Sequence, residues 1–367
     1  MKKHILNKTE YFTVFFFGVL IFTSFSFNET TATNITSSIE EEHVLNSNTK
    51  IEGFTISNDG ELIALADIED TQIEVYSLNG IKQENLPLPE GIFFTGESSG
   101  IQFYRNTSEL FFVGNQEVVG EESSYHIASL YRIFLSNHTC RLVAPGIRFF
   151  RISPDEQNIV FSANDDYIEE PTGEQMGEFS SIYVMDVDGS NIAKIKHVTG
   201  TTFLDFDWNS EGNQILVEGW DGPSGFWTMN VDGSDFLRIT ALGLGTENPM
   251  WSLENDFIFC TGQDGSLGGF GIEFMAANGD NRTTALPDLM IAELVRHPTS
   301  NYVYYTALGE YSLNRVNMDE ILHANEEKTN PFGDFTINGF SPIVFGLGIA
   351  FTLIKKIKTV NSHEKSR

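Results

Sequence analysis

The densest chemistry in this sequence lies at Asp165, Asp166, Glu169, Glu170, Glu174 and Glu178, six carboxylates within fourteen residues and no basic residue among them. Two further acidic segments stand upstream, Asp67, Glu69 and Asp70, then Glu117, Glu121 and Glu122. Carboxylates are what Ca2+ takes as ligands, roughly six to eight oxygens at a time, and they are equally what a basic protein surface pairs with. A solvated polar edge has the same composition, and that reading stands beside Ca2+ or basic-partner binding. No other cofactor is expected.

Other motifs point to less. Gly96-Glu97-Ser98-Ser99-Gly100 has the letters of a nucleophile elbow, which needs a strand before it and a helix after it. Here Ile101-Gln102-Phe103-Tyr104 follows with strand-like alternation, so the segment reads as a loop and no catalytic residue is assigned. Asp186-Val187-Asp188-Gly189 and Asn230-Val231-Asp232-Gly233 lack the alternate ligands and closing Glu of a helical calcium loop, and read as hairpin turns. His43, His126, His138, His197, His297 and His323 show no ligand spacing. Asn28, Asn34, Asn106, Asn137 and Asn281 each head an Asn-x-Ser/Thr sequon, the acceptor pattern for N-linked glycans outside the cytoplasm.

The elements that position these residues come from a repeat. Taking Ser57, Arg105, Ser153, Asn209, Ser252 and His297 as equivalent gives steps of 48, 48, 56, 43 and 45 residues. Six residues further on stand Ile63, Phe111, Ile159, Ile215, Ile258 and Val303; eight further on stand Leu65, Val113, Phe161, Val217, Cys260 and Tyr305. A spacing of two marks one face of a β-strand. Just before the reference come Ile56, Tyr104, Ile152, Trp208 and Trp251, with Arg296 as the exception. Turn residues such as Pro154-Asp155-Glu156 separate the first two strands, and Ile182–Asp186 and Phe226–Asn230 mark a third. Four antiparallel strands per unit is the pattern of a propeller blade, so the expected class is all-β, a six-bladed β-propeller over 47–320. Cys140 and Cys260 then fall in the second and fifth blades, too far apart to pair. The first strands offer no cluster of histidines and carboxylates, and the sixth unit lacks a fourth strand, which a segment near His43 to Asn46 is expected to supply.

Ser153-Pro154-Asp155, Ile182-Tyr183-Val184-Met185-Asp186 and Asp188-Gly189-Ser190-Asn191 resemble the repeats of the TolB-like six-bladed propellers, the WD40-like family also seen in the N-terminal propellers of prolyl oligopeptidase relatives. The resemblance covers about Ile51 to Asp319. It implies a non-enzymatic binding module, as TolB-like propellers mostly are, and the peptidase relatives carry their catalytic serine in a separate domain.

The ends set the location. Lys2, Lys3 and Lys8 precede 17 uncharged residues, Tyr11 to Phe27, so 1–32 reads as a signal peptide or N-terminal anchor. Thr336 to Ile354 is 19 uncharged residues followed by Lys355, Lys356 and Lys358, the layout of a membrane span (336–354) with a cytoplasmic basic tail (355–367). Asn338-Gly339-Phe340 with that span and tail resembles the C-terminal sorting signals handled by archaeosortase-type enzymes. Polar linkers at 33–46 and 321–335 join the parts.

The whole chain has 51 acidic against 22 basic residues, a net charge of −29. Residues 1–27 and 355–367 hold eight basic and two acidic residues, which leaves 14 against 49 and a net of −35 for the rest, the part expected outside. Such a surface repels phosphate backbones, so nucleic acid is excluded as a partner. The expectation is a cell-surface module binding a protein, peptide or glycan, with a channel-mouth hydrolase or lyase and a structural surface-layer component as the alternatives.

Overall fold

The computed structural model describes residues 41–322 apart from 48–50, 52, 67–70, 95–99, 106, 120–123, 166–178, 223, 241–245, 264–269, 287–288 and 308–310. The expected signal or anchor, membrane span and basic tail lie outside the described residues. Among the described residues no helix is long and apolar enough to cross a membrane.

The described chain is a ring of six antiparallel sheets. Strand β1 (Glu42–Asn46) comes first, and the first blade follows as β2 (Gly53–Ile56), β3 (Leu62–Ala66), β4 (Gln72–Ser77) and β5 (Lys82–Pro87). The second blade holds β6 (Ile92–Phe94), β7 (Ile101–Tyr104), β8 (Glu109–Val119), β9 (Ser124–Phe134) and β10 (Thr139–Pro145). The third is β11 (Phe149–Ile152), β12 (Asn158–Ala163), β13 (Ser181–Asp186) and β14 (Ala193–His197); the fourth is β15 (Thr202–Trp208), β16 (Gln214–Trp220), β17 (Ser224–Asn230) and β18 (Leu237–Arg238). The fifth is β19 (Thr246–Trp251), β20 (Phe257–Gln263), β21 (Phe270–Ala276) and β22 (Thr283–Leu286). The sixth takes β23 (Ile291–Arg296), β24 (Tyr302–Ala307) and β25 (Ser312–Asn317) from the C-terminal side, and β1 pairs antiparallel with β25 to complete it. One departure from four strands per blade occurs. The inner strand of the second blade is split, and β6 and β7 both pair with the eleven-residue β8.

The second strands are largely apolar on both faces because each sheet is sandwiched between two others. The six residues from Ile63 to Val303 at the first repeat position are all 0% exposed, and the six from Leu65 to Tyr305 at the second are all buried. They build the seams: Val75, Leu86, Phe94 and Phe103 pack between the first two blades, and Phe150, Phe161, Leu130 and Tyr104 between the next two. The last seam, between the sixth blade and the first, contains Leu45 of β1 with Leu313, Tyr304, Phe54 and Ile63.

The reference position has a local cause. Its side chain caps the turn by accepting the backbone N–H five residues on: Leu62 donates to Ser57 Oγ at 2.9 Å, Asn158 to Ser153 Oγ at 3.0 Å, Gln214 to Asn209 Oδ1 at 3.0 Å and Phe257 to Ser252 Oγ at 3.1 Å. His297, at the same place in the sixth blade, is buried and sets its Nε2 3.3 Å from the Gly60 carbonyl of the first blade.

Strand alternation gives the ring two faces. The turns between first and second strands and between third and fourth strands lie on one, the turn face. The loops between second and third strands and the links between blades lie on the other, the loop face. The Asp-Gly turns belong to the turn face. Asp188 and Asp232 each accept the backbone N–H two residues on at 2.9 Å, as expected of hairpins. Gly233 has φ +79, and a Cβ there would run into the carbonyl of Ile195 on the outer strand of the preceding blade. The same approach recurs at Gly189 against Val143, where a Cβ would lie 2.7 Å from the oxygen, and at Gly80 against Val44 of β1, 2.9 Å.

Candidate functional site: the inner strands and the loop face

Of the twelve loop carboxylates, Asp165 has a described side chain. Asp67, Glu69, Asp70, Glu121, Glu122, Asp166, Glu169, Glu170, Glu174 and Glu178 lie outside the described residues, and Glu117 is described only as part of β8. By chain order these segments join the second and third strands of the first three blades. Asp165 accepts the Tyr183 hydroxyl at 2.6 Å and the Lys194 ammonium at 2.9 Å. Partial burial raises its carboxyl, but hydrogen bonds from Ser181, Tyr183 and Lys194 outweigh that and hold it down at about 2. One of the candidate cation ligands is therefore already neutralised by a lysine. Among the described residues no three His, Cys, Asp or Glu side chains are grouped to hold a metal ion.

The inner strands carry what the sequence reading did not find. Asp205 and Asp207 stand on β15 and Glu293 on β23, with Glu218 on the neighbouring β16; Asp205, Glu218 and Glu293 are at most 3% exposed. The sequence reading looked for histidines together with carboxylates on the first strands and did not single out these acids; no histidine joins them among the described residues.

The positions have a physical reason. The innermost strand of each blade is an edge, with backbone N–H groups that have no ladder partner. Side chains of the adjacent blade take them: Glu293 Oε2 accepts Phe54 N–H at 2.8 Å, Gln102 Oε1 accepts Ile152 N–H at 2.9 Å, Asp207 Oδ2 accepts Trp251 N–H at 2.7 Å and Glu218 Oε2 accepts Asn248 N–H at 3.0 Å. Arg151 runs the other way. Its Nε donates to the Phe206 carbonyl at 2.8 Å and its guanidinium lies 3.5 Å from Asp205.

Electrostatics follow from burial. Desolvation pushes Glu218 well above the usual carboxylate range, and the nearby Asp205 and Glu247 charges add to it. Glu293 is raised well above the range by burial, with Arg151 and the Phe54 N–H opposing and Asp205 reinforcing. Asp207 is raised by burial against the charges of Arg296 and Arg151 and the N–H groups of Trp251 and Trp208. These groups can hold seams together; each of the three already gives an oxygen to backbone. Cys260 and Cys140 are free thiols. The Gly96–Gly100 segment sits between β6 and β7, and a strand rather than a helix follows it, starting at Ile101.

The loop face also exposes Trp220 at the end of β16, Met290 just before β23 and Tyr311 just before β25. Of the sequon asparagines, Asn137 and Asn281 are described and exposed; Asn28, Asn34 and Asn106 are outside the described residues.

No protein-family model and no curated protein matches the sequence. Solved structures match by shape. A structure solved as TolB from Agrobacterium tumefaciens gives a TM-score of 0.54 at 17% identity, over 76% of this chain and 97% of that one. Oligogalacturonate lyase from Vibrio parahaemolyticus gives 0.51 at 11% identity, over 74% and 78% of the two chains. The likeness is one of fold, a TolB-like six-bladed propeller.

Proposed function

We propose that the chain is an exported, membrane-tethered binding module whose loop face meets a protein, peptide or glycan outside the cytoplasm. The observation that supports this most is where the ring begins and ends. The outer strand β1 starts at the turn face, and β25 runs to the same face before a helical turn at 318–322. Tethers at either end would then both join the turn face and leave the loop face free for a partner. The loop face exposes Trp220 and Tyr311, residue types that anchor protein contacts, and by chain order the acid-rich segments of the first three blades belong to the same face. A cationic partner, or Ca2+ bridging to an anionic one, suits that composition.

A second reading, a lyase or hydrolase at the channel mouth, is favoured by the raised carboxylates Glu218 and Glu293 and by the shape shared with oligogalacturonate lyase. Against it, both carboxylates accept backbone N–H groups in the seams.

The test is cross-linking on intact cells, with surface biotinylation to report export. Cross-links to a partner concentrated near Trp220 and Tyr311 support the proposal. Cross-links confined to the turn face, release of unsaturated sugars from oligogalacturonate, or self-assembly of the purified chain into sheets would each replace it.

A further inference from the structure

Three sequons fall within the ring sequence 42–317, at Asn106, Asn137 and Asn281. The alternation of strands puts all three segments on one side. Asn137 is at the tip between β9 and β10, Asn281 is in the turn between β21 and β22, and Asn106 falls by sequence between β7 and β8. The loops and blade links of the opposite face contain none within 42–317.

The two described sites have the form an acceptor needs. Asn137 is exposed, and its Oδ1 accepts the backbone N–H of Thr139 at 3.0 Å, a turn that engages the carbonyl end of the carboxamide and draws the hydroxyl-bearing residue under it. The tip is braced against the first blade, because His138 Nε2 lies 2.6 Å from Glu84 Oε1. Asn281 is exposed at φ +57, and Thr283 Oγ1 donates to the Asn281 carbonyl at 3.2 Å. Neither middle residue is proline, so the local chain of both turns fits the acceptor pattern. Second and fifth blades stand on opposite sides of a six-blade ring.

We infer that Asn137 and Asn281 are N-glycan acceptors, placed so that sugar covers opposite sides of the turn face and leaves the loop face bare. The inference rests on the export proposed above. The donor is an oligosaccharide carried on a lipid phosphate. The asparagine Nδ2 bonds to the anomeric carbon, the bond from that carbon to the phosphate oxygen breaks, the lipid phosphate leaves with the electron pair, and the amide gives up one proton. Nothing is oxidised or reduced. Bulky, hydrated sugar on the turn face would keep that face from self-association and direct contacts to the other face.

The experiment is glycopeptide mapping of the full chain purified from its own cells, run beside surface biotinylation. Peptides containing Asn137 and Asn281 are expected to carry glycan, and Asn137→Gln and Asn281→Gln are each expected to remove one glycan's mass from the intact chain. Thr139→Ala, which keeps the asparagine, should lose the same mass as Asn137→Gln and so separates acceptor chemistry from folding. A chain labelled at the surface with both asparagines unmodified overturns this inference alone. A chain that never reaches the surface overturns it together with the export reading.

Discussion

Glu293 accepts the backbone N–H of Phe54 at 2.8 Å, joining two residues 239 positions apart where the last blade meets the first. The carboxylate is 2% exposed, so the bond is made without competing water. Removing one partner of such a bond leaves the other unsatisfied, at about 1–3 kcal/mol. Glu293→Ala is expected to lose about that much in urea unfolding, and Glu293→Gln, which keeps an acceptor oxygen, much less.

The same burial fixes a pH dependence. Glu218, Glu293 and Asp207 are raised in the folded chain, so the folded state holds protons that the unfolded state has released. Their contribution is full below the ordinary carboxylate range and is lost as pH rises from there through their folded values. Urea midpoints are expected to fall from pH 5 toward pH 8, and Glu218→Gln with Glu293→Gln should flatten that slope. A slope unchanged in the double variant would assign it elsewhere.

Gly233 sits at φ +79 against the carbonyl of Ile195. Gly233→Ala adds both left-handed strain and a backbone clash between blades, with an expected cost of about 2–4 kcal/mol by thermal unfolding. Gly200, also at positive φ but with nothing near its missing Cβ, should cost only the strain when changed to Ala, about 1 kcal/mol.

Burial pushes the Cys140 thiol up to about 11 and the Cys260 thiol well above its ordinary value. Thiolate is the reactive form, so native protein at pH 8 is expected to alkylate slowly at both, with Cys260 labelled only in denaturant. Timed iodoacetamide quenching read by mass spectrometry checks this.

Trp220 and Tyr311 test the proposed binding face. Each is about half exposed, so their loss should leave the fold alone. Trp220→Ala with Tyr311→Ala is expected to weaken partner capture on cells at least about tenfold while the melting temperature stays within a few degrees.

The seams were legible in the sequence because they repeat. Ile63, Ile159 and Ile215 recur in register, and a strand buried on both faces leaves little freedom at those positions. The closing strand was legible from a deficit, since a ring short of one strand must find it elsewhere. The seam acceptors were not. Asp205 and Glu293 stand four residues before the reference position, Asp207 two before and Glu218 nine after, so they form no column of one residue type. Any polar side chain that reaches the next blade's edge serves, and which one reaches depends on packing that periodicity does not encode. The acid-rich segments were legible as composition, and their places in the blade order follow from the strands that flank them.

The pairing of β1 with β25 also sets a timetable. Glu42 and Arg315, which meet across it, are 273 residues apart. β1, the first of the described strands, therefore has no partner until β25, the last of them, is made. Until then β1 stays unpaired, and the first five blades must wait as an unlatched arc. The ring latches only after almost all of it has been made, so whatever keeps the early segment unpaired until then governs how much of the chain closes.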